Sequence, residues 1–295
     1  MNTSELIPAR RAVLGDNLEI RRALPNHARR MIGAWCFLDH AGPVPLKRGD
    51  ELRVGPHPHI GLQTFTWMIE GEILHRDSLG NAQPIRPGQV NLMTAGRGIS
   101  HSEESVPGSA LQLQTAQLWI ALPDAQRGMD PAFEHYPELP LADLGGFKVT
   151  VLAGAACGAR SPVRVHSPLL GLDLAAAGAA QASLPLDPAF EHGVLVLEGT
   201  AQVDGQSLAI GTLLYFPPGR SSLELRCAAT ARLLLVGGAP FGESVLLWWN
   251  FVARTQEELA RATTDWNAGH GFGEVHGYDG PRLIAPDIAG FHLRR

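Results

Sequence analysis

The sequence predicts an all-β protein made of two antiparallel β-barrel (jelly-roll) domains and a short C-terminal helix. Three observations carry that expectation. Glycine and proline account for 33 and 22 of the 295 residues, roughly a fifth of the chain against an ordinary share of about 12%, so turns interrupt it too often for long helices. Its apolar runs are short and many alternate with polar residues, the period of a half-buried strand. One order of strands and turn glycines also occurs twice.

In the first half, Leu62–Ile69 (LQTFTWMI) alternates and ends at Glu70-Gly71. A second strand, Ile73–Arg76, leads into the turn Asp77-Ser78-Leu79-Gly80-Asn81, the composition of a hairpin. Pro87-Gly88 turns the chain again, Val90–Thr94 enters the loop Ala95-Gly96-Arg97-Gly98, and Leu111–Leu122 alternates up to Pro123. Gly128–Pro140 shows no periodicity and reads as a connector. The second half contains strand signals at Gly171–Leu174, Gly193–Leu197, Ala201–Val203, Leu213–Phe216 and Leu233–Val236. Its one helical signal is TQEELARATTDWNAG, where Thr255 and Glu258 form a capping-box pattern and Gly269 ends the run. The glycine-rich residues after it read as a tail held against the surface.

The repeat pairs Gly71 with Gly199, Gly88 with Gly211 and Gly96 with Gly219, with the second and third glycines eight residues apart in both halves. It divides the chain into a first domain over 1–130 and a second over 131–295.

Bulk properties exclude several classes. A net charge of −5 argues against a broad nucleic-acid-binding surface. Apolar stretches such as Val245–Trp249 fall far short of the ~20 residues that span a bilayer, and the first ten residues lack the pattern of a signal peptide. Cys36, Cys157 and Cys227 form no CxxC pair and suggest a reducing compartment. The expectation is a cytoplasmic protein that binds neither nucleic acid nor membrane. No GxSxG elbow, Walker loop or GxGxxG loop is present.

The chemistry centres on two short strings. His57-Pro58-His59 places two imidazoles at i and i+2, on one side of an extended segment, and Pro58 restricts that segment to extended geometry. By itself this pair is equally compatible with a surface pair. His101-Ser102-Glu103 has the same spacing. If both strands line one barrel, three imidazoles and a carboxylate meet, a donor set for a divalent first-row metal that leaves sites open for substrate and dioxygen. The competing reading is a polar loop at a barrel rim.

The strings Gly55–Gly71 (GPHPHIGLQTFTWMIEG), His75–Asn81 (HRDSLGN) and Gly88–Glu103, the last ending TAGRGISHSE, resemble the pirin family of the cupin superfamily. The resemblance extends upstream to Arg29–Pro43 and downstream to Val245–Trp266. It implies a bicupin with one metal, iron(II) first and Mn, Ni, Co or Cu as alternatives, in the N-terminal barrel. The family's metal ligands fall on His57, His59, His101 and Glu103. It further implies a quercetin 2,3-dioxygenase-like enzyme that cleaves a flavonol with O2, with Glu103 also the base that accepts the substrate proton. The alternatives are an iron- or redox-sensing regulatory protein acting through protein partners, and a metal-binding cupin without catalysis.

Two departures complete the reading. Gln63 stands where the general cupin pattern has a glutamate; on a regular strand it shares the face of His59, and the lost charge raises the metal's reduction potential and weakens the local base. In the second half, the glycine alignment puts Pro185 and Asp187 in place of His57 and His59, and Glu224 and Arg226 in place of His101 and Glu103. Among the remaining candidates, His75 is expected to brace its hairpin, His192 to be a barrel or rim residue, and His270, His276 and His292 to be solvated. Trp248-Trp249 is expected to pack a closing strand, and Cys36 to be a buried thiol.

Overall fold

The computed structural model describes residues 4–14, 18–45, 52–106, 112–291 and 293. His292, Leu111 and the first three residues therefore lie outside the described residues. The chain divides into two compact units, one formed by 1–12, 21–40 and 138–241 and the other by 13–20, 41–137 and 242–295. This division cuts across the sequential boundary at 130/131. The helix and tail, expected with the second barrel, cluster with the first, because the tail hydrogen-bonds to its strands: Leu283 N–H donates to Pro56 O at 2.9 Å, and Ser100 Oγ donates to Gly273 O at 3.1 Å.

In the unit containing residues 41–137, one sheet runs in the order Arg53–His59, Ile99–Ser105, Ile73–Asp77, Ala82–Ile85. Facing strands Ala132–Tyr136, Val90–Thr94, Leu62–Glu70 and Gln112–Ala121 lie side by side in another. In the other unit the order is Ala180–Pro185, Ser222–Cys227, Thr200–Val203, Gln206–Ala209 in one sheet, with Thr212–Phe216, Glu191–Glu198 and Ala231–Gly238 adjacent in a second. The two units thus use equivalent strands in equivalent positions, the antiparallel double-sheet arrangement of a jelly roll. The paired glycines mark the same turns, and Gly71 (φ +88°) and Gly199 (φ +68°) both occupy the left-handed region.

The connector Gly128–Pro140 contains a strand that the sequence conceals. Ala132–Tyr136 pairs with Val90–Thr94 at the edge of its sheet, and all five residues are half-buried, so neither face is strongly apolar and no alternation is written into it. The helix Gln256–Asn267 begins as expected. Thr255 Oγ1 accepts from Glu258 N–H at 3.2 Å and the Glu258 carboxylate accepts from Thr255 N–H at 3.3 Å, a reciprocal capping box worth about 1 kcal/mol. Leu259, Ala262 and Trp266 face inward and pack with Phe251, Phe272 and Ile288. Trp248 packs on Phe291 of the tail with ring centroids 4.8 Å apart, and its strand Leu246–Trp248 pairs with Phe251–Ala253 in a two-stranded sheet. Cys36 is a fully buried thiol outside any disulfide, while His270 and His276 are exposed.

The interior of the second barrel corrects the glycine alignment by one residue. Strands Ala180–Pro185 and Ser222–Cys227 alternate strictly, with Ala182, Leu184, Leu223 and Leu225 buried in the apolar core. Pro185, Asp187, Glu224 and Arg226 point outward. A single-residue slip between turn and strand exchanges the two faces, so the inward positions carry aliphatic side chains rather than the polar residues the alignment supplied. His192 is a barrel residue: it is fully buried and pairs across the sheet with Phe216 and Gly237, and burial pushes its pKa down to about 4.

Candidate metal centre

The register between Arg53–His59 and Ile99–Ser105 creates the centre. His101 lies directly opposite His57, and Ile99 opposite His59. Residues facing each other across antiparallel strands project to the same side, so the two HxH-type spacings point into one space. The pairing shifts between His101 and Glu103, where Glu103 faces Val54; Gly55 and Pro56 take up the extra length on the first strand.

His57, His59 and His101 are buried, and each offers a ligand atom within 4.8 Å of the others. Ring centroids are 4.3 Å apart for His57 and His101, 5.1 Å for His57 and His59, and 5.0 Å for His59 and His101. Glu103 is also buried, but it is not among the side chains that meet within this distance. On the other side of its strand it pairs with His75, and His101 pairs with Asp77.

Backbone carbonyls orient two of the rings. His57 Nδ1 lies 2.9 Å from Gly55 O, and His59 Nδ1 lies 2.9 Å from Asn250 O. A carbonyl can only accept, so each Nδ1 carries the proton and each Nε2 keeps its lone pair toward the cluster. His59 Nε2 and His101 Nε2 stand 3.0 Å apart. Two neighbouring ligands about 2.1 Å from one metal ion are separated by about that distance. The donor set therefore fits a metal ion: imidazole suits first-row metals, and the second partner of each ring is already engaged, as is usual for metal-ligating histidines. Asn250 comes from a segment far along the chain, and its contribution is a carbonyl, which no side-chain pattern announces.

Burial favours the neutral form of all three rings. It lowers the His57 pKa to about 4 and holds His59 and His101 well below the ordinary histidine value, with the neighbouring imidazoles adding to the effect. Burial raises the Glu103 pKa, outweighing an opposing electrostatic effect from the neighbouring His75. For Asp77, burial acts upward, but hydrogen bonds from His75 and Asn81 outweigh it and its pKa is lowered.

The histidine shifts have a consequence for stability. Between the unfolded value near 6.5 and the folded value near 4 for His57, the unfolded chain binds more protons than the native one. Stability therefore rises with pH in that window, is complete above it and falls as pH drops through it, at up to about 1.4 kcal/mol per pH unit for each such residue. Urea unfolding of the metal-free protein between pH 7 and pH 4 is expected to show this decline. A flat profile would contradict the buried neutral cluster.

The structure changes the role expected of Gln63. The first strand stops at His59, Gly61 turns the chain at φ +68°, and Gln63 belongs to the facing sheet. Thr64, not Gln63, pairs with Trp119, the residue whose ring meets His59 edge-on at 5.2 Å. Gln63 thus faces the other way, and its amide donates to Thr94 Oγ1 at 3.0 Å. The face extrapolated from a regular strand was broken by the turn, and with it the reason for an effect on the metal's potential. His75, expected to brace the hairpin, does more: it contacts both Asp77 and the His101 ring and stacks on Phe133 at 4.4 Å.

Two cupin-type barrels, the first holding a buried trio of imidazoles, define a bicupin with a candidate metal centre in that barrel. The chain belongs to the pirin family: the Pirin family model matches residues 17–120 and the Pirin C-terminal cupin domain model residues 171–273. It is 54% identical over 96% of its length to a Pseudomonas aeruginosa protein provisionally named quercetin 2,3-dioxygenase, covering 90% of that protein. A pirin-like protein of Caulobacter vibrioides is 40% identical over 88% of this chain and 92% of its own. Among solved structures, quercetin 2,3-dioxygenase from Acinetobacter baumannii superposes with a TM-score of 0.95 at 50% identity, covering 98% of this chain and 97% of that one. Among the described residues, no helix is long and apolar enough to cross a membrane.

Proposed function

We propose that the protein is a metal-dependent dioxygenase that cleaves a flavonol of the quercetin type with O2. The observation that carries this reading is the buried meeting of His57, His59 and His101 in a chain half identical to a solved quercetin 2,3-dioxygenase. Three imidazoles hold the metal through Nε2, and Glu103, two residues beyond His101 on the same strand face, serves as the fourth ligand. Iron(II) is the first choice of metal, with Mn, Ni, Co and Cu compatible with the same donors. When bound, the metal supplies Lewis acidity toward the substrate hydroxyl and the redox chemistry with O2.

The chain's own residues do the rest. The Glu103 carboxylate receives the proton of the flavonol 3-hydroxyl as the substrate enters. Gly55 and Asn250 carbonyls hold the His57 and His59 rings at fixed angles. Trp119 packs against His59 and shields it from water. Oxygen consumption is the test: iron-loaded protein mixed anaerobically with quercetin is expected to take up O2 and release carbon monoxide on admission of air. No uptake with any flavonol, across the five metals, would reject the enzyme and leave a metal-sensing role for the same ligands.

A further inference from the structure

We propose that Asn91 and Gln117 form a recognition strip inside the first barrel that hydrogen-bonds the hydroxyl groups a polyhydroxylated aromatic substrate carries away from its metal-binding hydroxyl. This rests on the flavonol reading above and adds the residues that select among such substrates. The duplicated fold reveals the strip, because one row of side chains is polar in the first barrel and aliphatic in the second.

Strand register sets the row. In the sheet that faces the histidines, Thr66 lies opposite Asn91 on one side and Gln117 on the other, and His135 lies opposite Asn91. Residues opposite one another across antiparallel strands share a face, so His135–Asn91–Thr66–Gln117 is one continuous row. Two residues along each strand, on the same face, runs the row Phe133–Met93–Thr64–Trp119. Its two ends touch the histidine sheet: Trp119 meets His59 edge-on at 5.2 Å, and Phe133 stacks on His75 at 4.4 Å. The polar row therefore faces the barrel interior, about 7 Å further along the strands.

The glycine offsets that pair Gly71 with Gly199 and Gly88 with Gly211 carry Thr66 to Val194 and Asn91 to Leu214 in the second barrel. Val194 and Leu214 lie opposite each other there, and Leu235, opposite Val194 as Gln117 is opposite Thr66, completes the row. All three are buried in the apolar core. A barrel of this kind thus closes without any polar group at these positions. Thr66 and Asn91 are nevertheless only 5% and 4% exposed in the first barrel, and burying a polar group that is not fully paired is unfavourable.

Hydrogen bonds within the row leave specific groups unused. Thr66 Oγ1 donates to Gln117 Oε1 at 2.9 Å, and Asn91 Oδ1 accepts from His135 Nδ1 at 2.7 Å. Both amide oxygens are held in this way, which makes Thr66 and His135 positioning residues. The NH2 groups of Asn91 and Gln117 have no hydrogen-bond partner among the described residues. They are donors on either side of Thr66, and a phenolic oxygen is an acceptor for each. A flavonol anchored by its 3-hydroxyl carries its other hydroxyls further off on its two ring systems. An analogue that lacks them leaves the amides unpaired inside the barrel, and such unpaired groups are what make a site selective for a hydroxyl.

The test is the ratio of the dissociation constants of 3-hydroxyflavone and quercetin, which share the metal-binding hydroxyl, measured under argon on iron-loaded protein. Wild type is expected to bind quercetin about tenfold more tightly, about threefold for each amide. Asn91→Leu and Gln117→Met keep the shape of the side chain and remove its NH2 group. Each is expected to lower the ratio about threefold, and the double variant to bring it to about one, with 3-hydroxyflavone affinity unchanged. Should the leucine variant not fold, Asn91→Ala, which adds no volume, gives the same readout. A row that only stabilises the barrel would move the unfolding midpoint and leave the ratio fixed. An unchanged ratio in folded variants, a wild-type ratio of one, or no binding of either flavonol would overturn the proposal. Quercetin bound with the expected ratio but without oxygen uptake rejects the dioxygenase and keeps the strip; uptake with one ratio in all variants does the reverse.

Discussion

Replacing His57 and His59 together with alanine is expected to abolish stoichiometric metal binding. Structural metal sites with four protein ligands bind with about 10–16 kcal/mol, so each ligand accounts for roughly 3 kcal/mol and the loss of two weakens binding on the order of 10⁴-fold. Both rings are buried, with Nδ1 held by a backbone carbonyl, so each is fixed in place in the wild type. Metal analysis of protein purified after iron loading gives the readout, and His270→Ala, at an exposed position in the tail, is the control that should retain the metal. One equivalent of iron in the double variant would overturn the site. The same variant should lose much of the decline in stability between pH 6.5 and pH 4, because two of the buried neutral imidazoles that cause it are gone.

A large effect on stability is expected at a glycine beside the ligands. Gly61 has φ +68°, and a Cβ placed on it would stand 2.1 Å from the backbone oxygen of Val252. Left-handed backbone costs about 1–2 kcal/mol for other residues, and relieving a clash with main chain adds about 1–3 kcal/mol more. Gly61→Ala is therefore expected to destabilise the protein by about 2–5 kcal/mol, read as a lower urea midpoint with an unchanged slope. Gly88→Ala separates the two contributions, since Gly88 shares the positive φ but has open space around it; it should show the backbone penalty alone. The clash also lies next to the metal centre. Val252 N–H donates to Ile60 O at 3.1 Å, and Asn250 two residues earlier orients His59. Displacing this segment should weaken metal binding about tenfold, and a variant with wild-type stability and affinity would contradict the close approach.

Much of this fold is legible along the chain because β structure repeats every two residues and its turns are marked by residues that favour them. Leu62–Glu70 and Val90–Thr94 are visible as alternating or apolar runs between glycine turns, and the helix is visible through Thr255 and Glu258. Ala132–Tyr136 is hidden because an edge strand with two half-buried faces has no periodicity to show. The histidines of the centre are legible for the same reason as the strands: i and i+2 share a side whenever the segment is extended. Extrapolating that rule across Gly61 to Gln63, or from Gly219 to Glu224, fails, because one turn or one slipped residue reverses which face is inward.

The sequence alone determined the class of the protein, its duplicated barrels and the residue types offered to a metal, since these follow from local periodicity and short spacing. Tertiary structure decided what those residues meet. The register between two strands set His57 opposite His101, and a distant carbonyl at Asn250 and the His75–Asp77 pair came to lie behind the rings. It also filled the equivalent face of the second barrel with Ala182, Leu184, Leu223 and Leu225. Hydrogen-bond partners and strand register depend on which segments pack together, and packing joins residues as far apart as His59 and Asn250, a relation that no local pattern contains.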